Sequence, residues 1–115
     1  APVVETKVGQ IFGTPLYMSP EQCQGKKLTQ AADIYSMGCL MYQSLTGEPL
    51  INGEDYVDVM YKHINCEPTN IAQTGASGDV PAFLQGIVMK AIRKDPGMRY
   101  QSMEELKSYL DGIPV

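Results

Sequence analysis

Thr29-Gln30-Ala31-Ala32-Asp33-Ile34-Tyr35-Ser36-Met37-Gly38-Cys39-Leu40-Met41-Tyr42-Gln43-Ser44-Leu45-Thr46-Gly47 is the stretch on which the fold turns. Thr29 is placed to cap a helix, Gly47 to end it, and Pro49 lies just beyond. Between them Ala31, Ala32, Ile34, Tyr35, Met37, Cys39, Leu40, Met41 and Leu45 cover nearly every direction of a helical wheel. A helix that is apolar all round belongs in the interior, so the pattern predicts a buried central helix. Gly38 in its middle costs about 1 kcal/mol against Ala, and the usual compensation is close approach by another backbone.

Working outward, Ser19-Pro20 opens a short helix that Gly25 stops, with Ser19 as N-cap and Pro20 at the first helical position. Downstream, Asn52 is read as the cap of a third helix running to Ile64. Glu54 and Asp55 suit its N-terminal dipole, and Lys62 and His63 suit its C-terminal end. Residues 65–79 form a long loop. Val80 to Arg93 carries Phe83, Leu84, Ile87, Val88, Ala91 and Ile92 on one helical stripe. Asp95-Pro96-Gly97 is a turn, and Ser102-Met103-Glu104-Glu105 is a capping box that opens a last helix to Leu110, stopped by Gly112. There is no internal repeat and no βαβ alternation. The expectation is one all-α domain of about five helices around one buried central helix.

The bulk properties agree with a single folded unit. The chain has 115 residues, 43% of them hydrophobic and 19% charged, and a net charge of 9 − 13 = −4. That sign, with its basic residues scattered, argues against a nucleic-acid binder. No apolar run approaches the ~20 residues that cross a bilayer. Ala1-Pro2-Val3-Val4-Glu5 has neither the basic nor the apolar region of a signal peptide. Cys23, Cys39 and Cys66 are odd in number and lack metal-ligand spacing, so they read as reduced, mostly buried thiols of a cytoplasmic protein.

Three segments carry a resemblance. Gly13-Thr14-Pro15-Leu16-Tyr17-Met18-Ser19-Pro20-Glu21-Gln22 resembles the end of a kinase activation segment, with Ser19 in place of the Ala of the A-P-E motif. Ala32-Asp33-Ile34-Tyr35-Ser36-Met37-Gly38 resembles the start of the central helix of the large lobe. Lys94-Asp95-Pro96-Gly97-Met98-Arg99-Tyr100 resembles the turn before the last helix. In this order and spacing they resemble the C-terminal half of the catalytic domain of eukaryotic-type Ser/Thr protein kinases, in a form most like the bacterial ones, over residues 6–111. Residues 1–25 then correspond to the end of the activation segment and the substrate-side loop, and 26–115 to the helical subdomain.

The resemblance implies roles residue by residue. Gly13, Thr14, Pro15 and Tyr17 belong to the substrate-side loop, and Thr14 would contact the catalytic Asp and Lys. Glu21 and Arg99, 78 positions apart, would form a buried ion pair. Asp33 would accept backbone N–H groups of the catalytic loop. Thr6 is a candidate phosphosite. Residues 52–64 resemble a helix that docks substrates or regulators, with Tyr56, Met60 and Tyr61 as its exposed candidates. The upstream chemistry is not in this sequence. It has no Gly-rich loop, no phosphate-binding Lys, no H-R-D-x-x-x-x-N and no D-F-G. Gly75-Ala76-Ser77-Gly78 lacks a third glycine and follows no strand. ATP and magnesium are therefore expected of a parent kinase and not of this chain, which has no catalytic residue and no metal site and is expected to be inert alone. Its expected partners are protein substrates or regulators, the missing kinase N-lobe and catalytic loop, and a second copy, through exposed apolar surface or exchange of residues 1–25. The competing reading is a stand-alone, non-catalytic helical module that binds proteins.

Overall fold

A computed structural model describes residues 15–112. The expectations placed on Thr6, Gly13 and Thr14 lie outside the described residues. Five α-helices follow one another: α1 (Pro20–Cys23), α2 (Gln30–Thr46), α3 (Tyr56–Asn65), α4 (Ala82–Ala91) and α5 (Met103–Asp111). Short 3₁₀ turns occupy Pro15–Tyr17, Ile71–Gln73 and Pro96–Met98, and no strand occurs among the described residues.

The local signals explain most of these boundaries. Ser19 Oγ accepts from the Gln22 N–H and the Gln22 side chain accepts from the Ser19 N–H, a reciprocal cap at the start of α1. Thr29 Oγ1 accepts from the Ala31 N–H to open α2. Gly47, at φ 78°, closes α2 in the left-handed region, where a side chain would be strained.

Helix α2 runs between two packed clusters. Tyr35, Cys39 and Tyr42 face Leu50, Ile51, Val59, Ile71, Val80, Val88 and Ile92. Ile34 faces Ile87, Ala91, Tyr100 and Leu106. Each fully buried aliphatic side chain here contributes about 1.5–3 kcal/mol. Helix α4 crosses α2 at Gly38: a Cβ there would sit 2.5 Å from Ile92 Cγ2 and 3.0 Å from Ala91 Cβ. The missing side chain is what permits the contact.

Burial of α2 is not complete. Leu40 is 45% exposed, and Met37 and Met41 are only partly covered. With Ser44, Leu45 and Leu84 they line an open, apolar groove of about 310 Å³. The helix is apolar all round, yet one of its sides has no neighbour among the described residues.

Five further expectations are corrected. Helix α3 is capped by Asp55, whose Oδ1 accepts from the Asp58 N–H, while Asp58 Oδ2 accepts from the Glu54 N–H. Asn52 instead binds the adjacent Gly53 N–H in the turn before it. Helix α4 begins two residues later than expected, because a residue before proline avoids the helical region and Val80 precedes Pro81. Phe83 is half-exposed, outside the core. At α5, Ser102 Oγ caps the Glu105 N–H, but the Glu105 carboxylate reaches the Gln101 N–H and not that of Ser102. The loop 65–79 is partly ordered by Asn70, which caps the turn Ile71–Gln73.

Candidate functional site

The segment from Pro15 to Glu21 is tied to the helices at both ends. At its far end, Arg99 Nη1 donates to Glu21 Oε2 at 2.7 Å and Nη2 to Glu21 Oε1 at 2.8 Å. The remaining guanidinium N–H groups reach the carbonyls of Ala31 (2.9 Å), Lys94 (3.0 Å) and Arg93 (2.6 Å). All five donors of Arg99 are therefore used, which is what a buried guanidinium requires. Its plane lies 4.9 Å from the Tyr35 ring centroid. Burial alone would raise the Glu21 carboxyl, but the hydrogen bonds and charge of Arg99 outweigh it and hold the group below the usual carboxylate range.

At the near end, three side chains of α2 and α3 hold the loop. His63 Nε2 lies 2.7 Å from the Pro15 carbonyl oxygen. Ser36 Oγ donates to the Tyr17 carbonyl at 2.6 Å, and the Tyr17 hydroxyl donates to Gln43 Oε1 at 2.7 Å. Pro15 is buried and Tyr17 half-buried. The expected substrate-side residues that fall within the described range thus sit on a fixed platform.

The other expected residues lie apart from this platform. Asp33 stands exposed in the first turn of α2, and its carboxylate accepts no hydrogen bond from the described residues. Tyr56 and Tyr61 are exposed on α3, whereas Met60 is partly covered. Cys39 is buried, Cys23 half-buried and Cys66 exposed, so one thiol of the three is fully interior. Burial raises the Cys39 thiol to about 12 and the Cys23 thiol to about 11. No group of three His, Cys, Asp or Glu side chains among the described residues could hold a metal ion.

Two further polar groups are buried, contrary to or beyond what the sequence suggests for them. His63, expected to suit the C-terminal end of α3, is fully buried, and burial pushes its imidazole down to about 4. Its position on the inward face of α3, one turn after Val59, was the available signal. Lys94 has its Nζ shut off from solvent with no hydrogen-bond partner among the described residues, 6.0 Å from the Tyr35 ring centroid. Burial lowers the basicity of its amine.

Comparison with known proteins places this architecture. The family described as the protein kinase domain matches residues 3–110, and the chain belongs to it. The kinase PknB of Mycolicibacterium smegmatis is 38% identical over 105 residues, which cover 91% of this chain and 16% of that protein. The probable serine/threonine-protein kinase SCO3848 of Streptomyces coelicolor is 39% identical over 114 residues, covering 96% of this chain and 17% of that protein. The chain therefore spans about a sixth of the length of these curated relatives. Among solved structures, the twitchin kinase region of C. elegans superposes with a TM-score of 0.75 at 21% identity, covering 87% of this chain and 18% of that one, a likeness of fold. Residues 15–112 are thus the helical, C-terminal-lobe part of a Ser/Thr protein kinase domain. No helix among the described residues is long and apolar enough to cross a membrane.

Proposed function

We propose that this chain forms the substrate-facing helical part of a cytoplasmic, ATP-dependent Ser/Thr protein kinase, and that it performs no phosphoryl transfer alone. The observation that carries the proposal is the double anchoring of the segment 15–21, by Arg99 at Glu21 and by His63 and Ser36 at Pro15 and Tyr17. A kinase reaction depends mainly on positioning. A platform for the peptide around the accepting hydroxyl is such a device, with Gly13, Thr14, Pro15 and Tyr17 as its substrate-side residues.

The sequence carries no glycine-rich phosphate cradle, and in this reading ATP and magnesium are not held by these residues. Those groups belong to other parts of a kinase domain. Asp33, exposed and with no hydrogen bond to its carboxylate from the described residues, is the residue available to receive backbone N–H donors from a catalytic loop. Thr6 remains the proposed phosphosite.

A chimera tests the proposal. Residues 1–112 replace the matching segment in the kinase domain of PknB from Mycolicibacterium smegmatis, and phosphate transfer to a generic protein substrate is measured. Transfer within about tenfold of the unmodified kinase supports the assignment. A folded chimera that binds ATP–Mg but transfers nothing overturns it, as does ATP–Mg binding by the isolated chain.

The groove along Met37, Leu40 and Leu84 favours a second reading, a module that binds a second copy of itself through this face. Association that survives a charge placed in the groove argues against that reading.

A further inference from the structure

His63 joins three elements distant in sequence. It lies on α3, its Nε2 reaches the Pro15 carbonyl 48 positions away, and its Nδ1 lies 2.7 Å from the Tyr35 hydroxyl of α2. A carbonyl oxygen only accepts, so Nε2 must carry the proton. Nδ1 is then the lone-pair nitrogen, and the Tyr35 hydroxyl donates to it. The two rings meet edge to face at 5.5 Å and 70°. The other face of this arrangement is Arg99, against the same Tyr35 ring. Tyr35 therefore touches the anchors at both ends of the segment 15–21.

We infer, on the footing of the kinase function proposed above, that His63 is a positioning residue for the substrate-side loop, acting as the neutral imidazole whose tautomer Tyr35 fixes. The surroundings select that form. Tyr35 faces the ring from α2, and Lys94 is the cation near it from the turn after α4. On α3 itself Lys62 is turned outward to Asp58 and the Asn52 carbonyl. The one buried carboxylate among the described residues, Glu21, is already engaged by Arg99. Among the described residues no carboxylate contacts the ring to stabilise an imidazolium, and burial together with the Lys94 charge opposes it. A second proton on Nδ1 would also meet the Tyr35 O–H, which must turn away from its present role as donor. Acid should therefore disturb the Tyr35 contact first, with the Nε2–H bond to Pro15 still in place, before it unfolds the distant helix α5.

The test uses the whole 115-residue chain in solution. Long-range proton–nitrogen NMR reads the tautomer directly and needs no variant. A protonated Nε2 and an unprotonated Nδ1 at about pH 7 are expected, and the opposite tautomer or an imidazolium overturns the inference. Amide exchange at Met18, whose N–H donates to the Pro15 carbonyl, is then followed in His63→Gln and His63→Leu, with Leu106 of α5 as the reference for an intact fold. Gln keeps a donor for the Pro15 carbonyl, so exchange at the loop stays slow. Leu removes the donor, and loop exchange accelerates at least about tenfold while Leu106 is unchanged. Unchanged loop exchange in His63→Leu overturns the inference. In the PknB chimera, His63→Leu raises the peptide KM about tenfold with the ATP KM unaltered, and His63→Gln restores it. A chimera with no activity while the tautomer and exchange results hold removes the kinase reading and leaves the latch.

Discussion

Glu21 and Arg99 meet through two parallel hydrogen bonds of 2.7 and 2.8 Å inside the protein, although 77 residues separate them in the chain. Taking two charges out of water is costly, and the cost is recovered only where every donor finds an acceptor. Arg99 meets that condition with five bonds, two to the carboxylate and three to carbonyls of α2 and the turn after α4.

Removing either partner leaves the other charge stranded. Glu21→Ala or Arg99→Met should each lower the free energy of unfolding by about 3–5 kcal/mol, read in urea denaturation. Arg99→Lys should recover little of this, because an ammonium cannot span both carboxylate oxygens. Equal stability of Arg99→Lys and the parent chain would show that the fork geometry is unimportant.

Acid should weaken the fold in two stages. An unfolded histidine titrates near 6.5 and the folded His63 near 4, so the unfolded state binds the extra proton first. Stability is complete above about pH 6.5 and declines as pH falls toward about 4. The Glu21 carboxyl is held below its ordinary value, so its contribution is complete above about pH 4.5 and is lost as pH falls below that through its folded value. In His63→Gln the upper stage should vanish and the lower one persist, as followed by thermal unfolding across pH.

Gly38→Ala should destabilise the protein although alanine is the better helix former. The propensity gain is about 1 kcal/mol, whereas the new methyl would press on Ile92 Cγ2 and Ala91 Cβ in a close-packed core. A net loss of about 1–3 kcal/mol is expected. Combining it with Ile92→Ala should cost less than the sum of the two changes, since the clashing methyl is gone. Additive losses would count against the crossing geometry.

The three thiols should react very unequally. Cys66 is exposed, while burial raises Cys23 and Cys39 to about 11 and about 12. At about pH 8 a thiol reagent should label Cys66 quickly and the other two only on unfolding. Rapid labelling of all three in the native protein would contradict the packing of α1 against the body of the fold.

If the groove on α2 recruits a second copy, light scattering should show concentration-dependent association that Leu40→Asp suppresses. A monomer at all concentrations, with no binding of an apolar dye, would exclude that partner.

Much of this architecture is legible in the sequence because its signals are local. Ser19, Thr29, Ser102 and Gly47 do their work within a few residues, and the structure shows each as a cap or stop. The start of α3 is ambiguous in the sequence because Asn52 and Asp55 are both competent caps, and the bond from the Asp58 N–H to the Asp55 carboxylate decides between them. The central helix was read as interior from its composition, but composition does not say which neighbours are there, and Leu40 stands open. His63 was misassigned for a related reason. A histidine near a helix C-terminus looks like a dipole partner until its face is known, and here that face points to Tyr35 and Pro15. The Glu21–Arg99 pair was reached only through motif resemblance, since no local rule links residues so far apart.

The reach of Arg99 also orders events in time. Its acceptors lie at Glu21, Ala31, Arg93 and Lys94, so the site cannot close until the chain has been synthesised through residue 99. Until then the Glu21 carboxylate has no counter-charge there, and the segment ahead of it lacks its far anchor. Closing a loop of this span is slow compared with forming the helices inside it. A nascent chain would thus carry formed helices and an unfastened loop, and the loop would acquire its shape last, as a sign that the helices behind it are already in place.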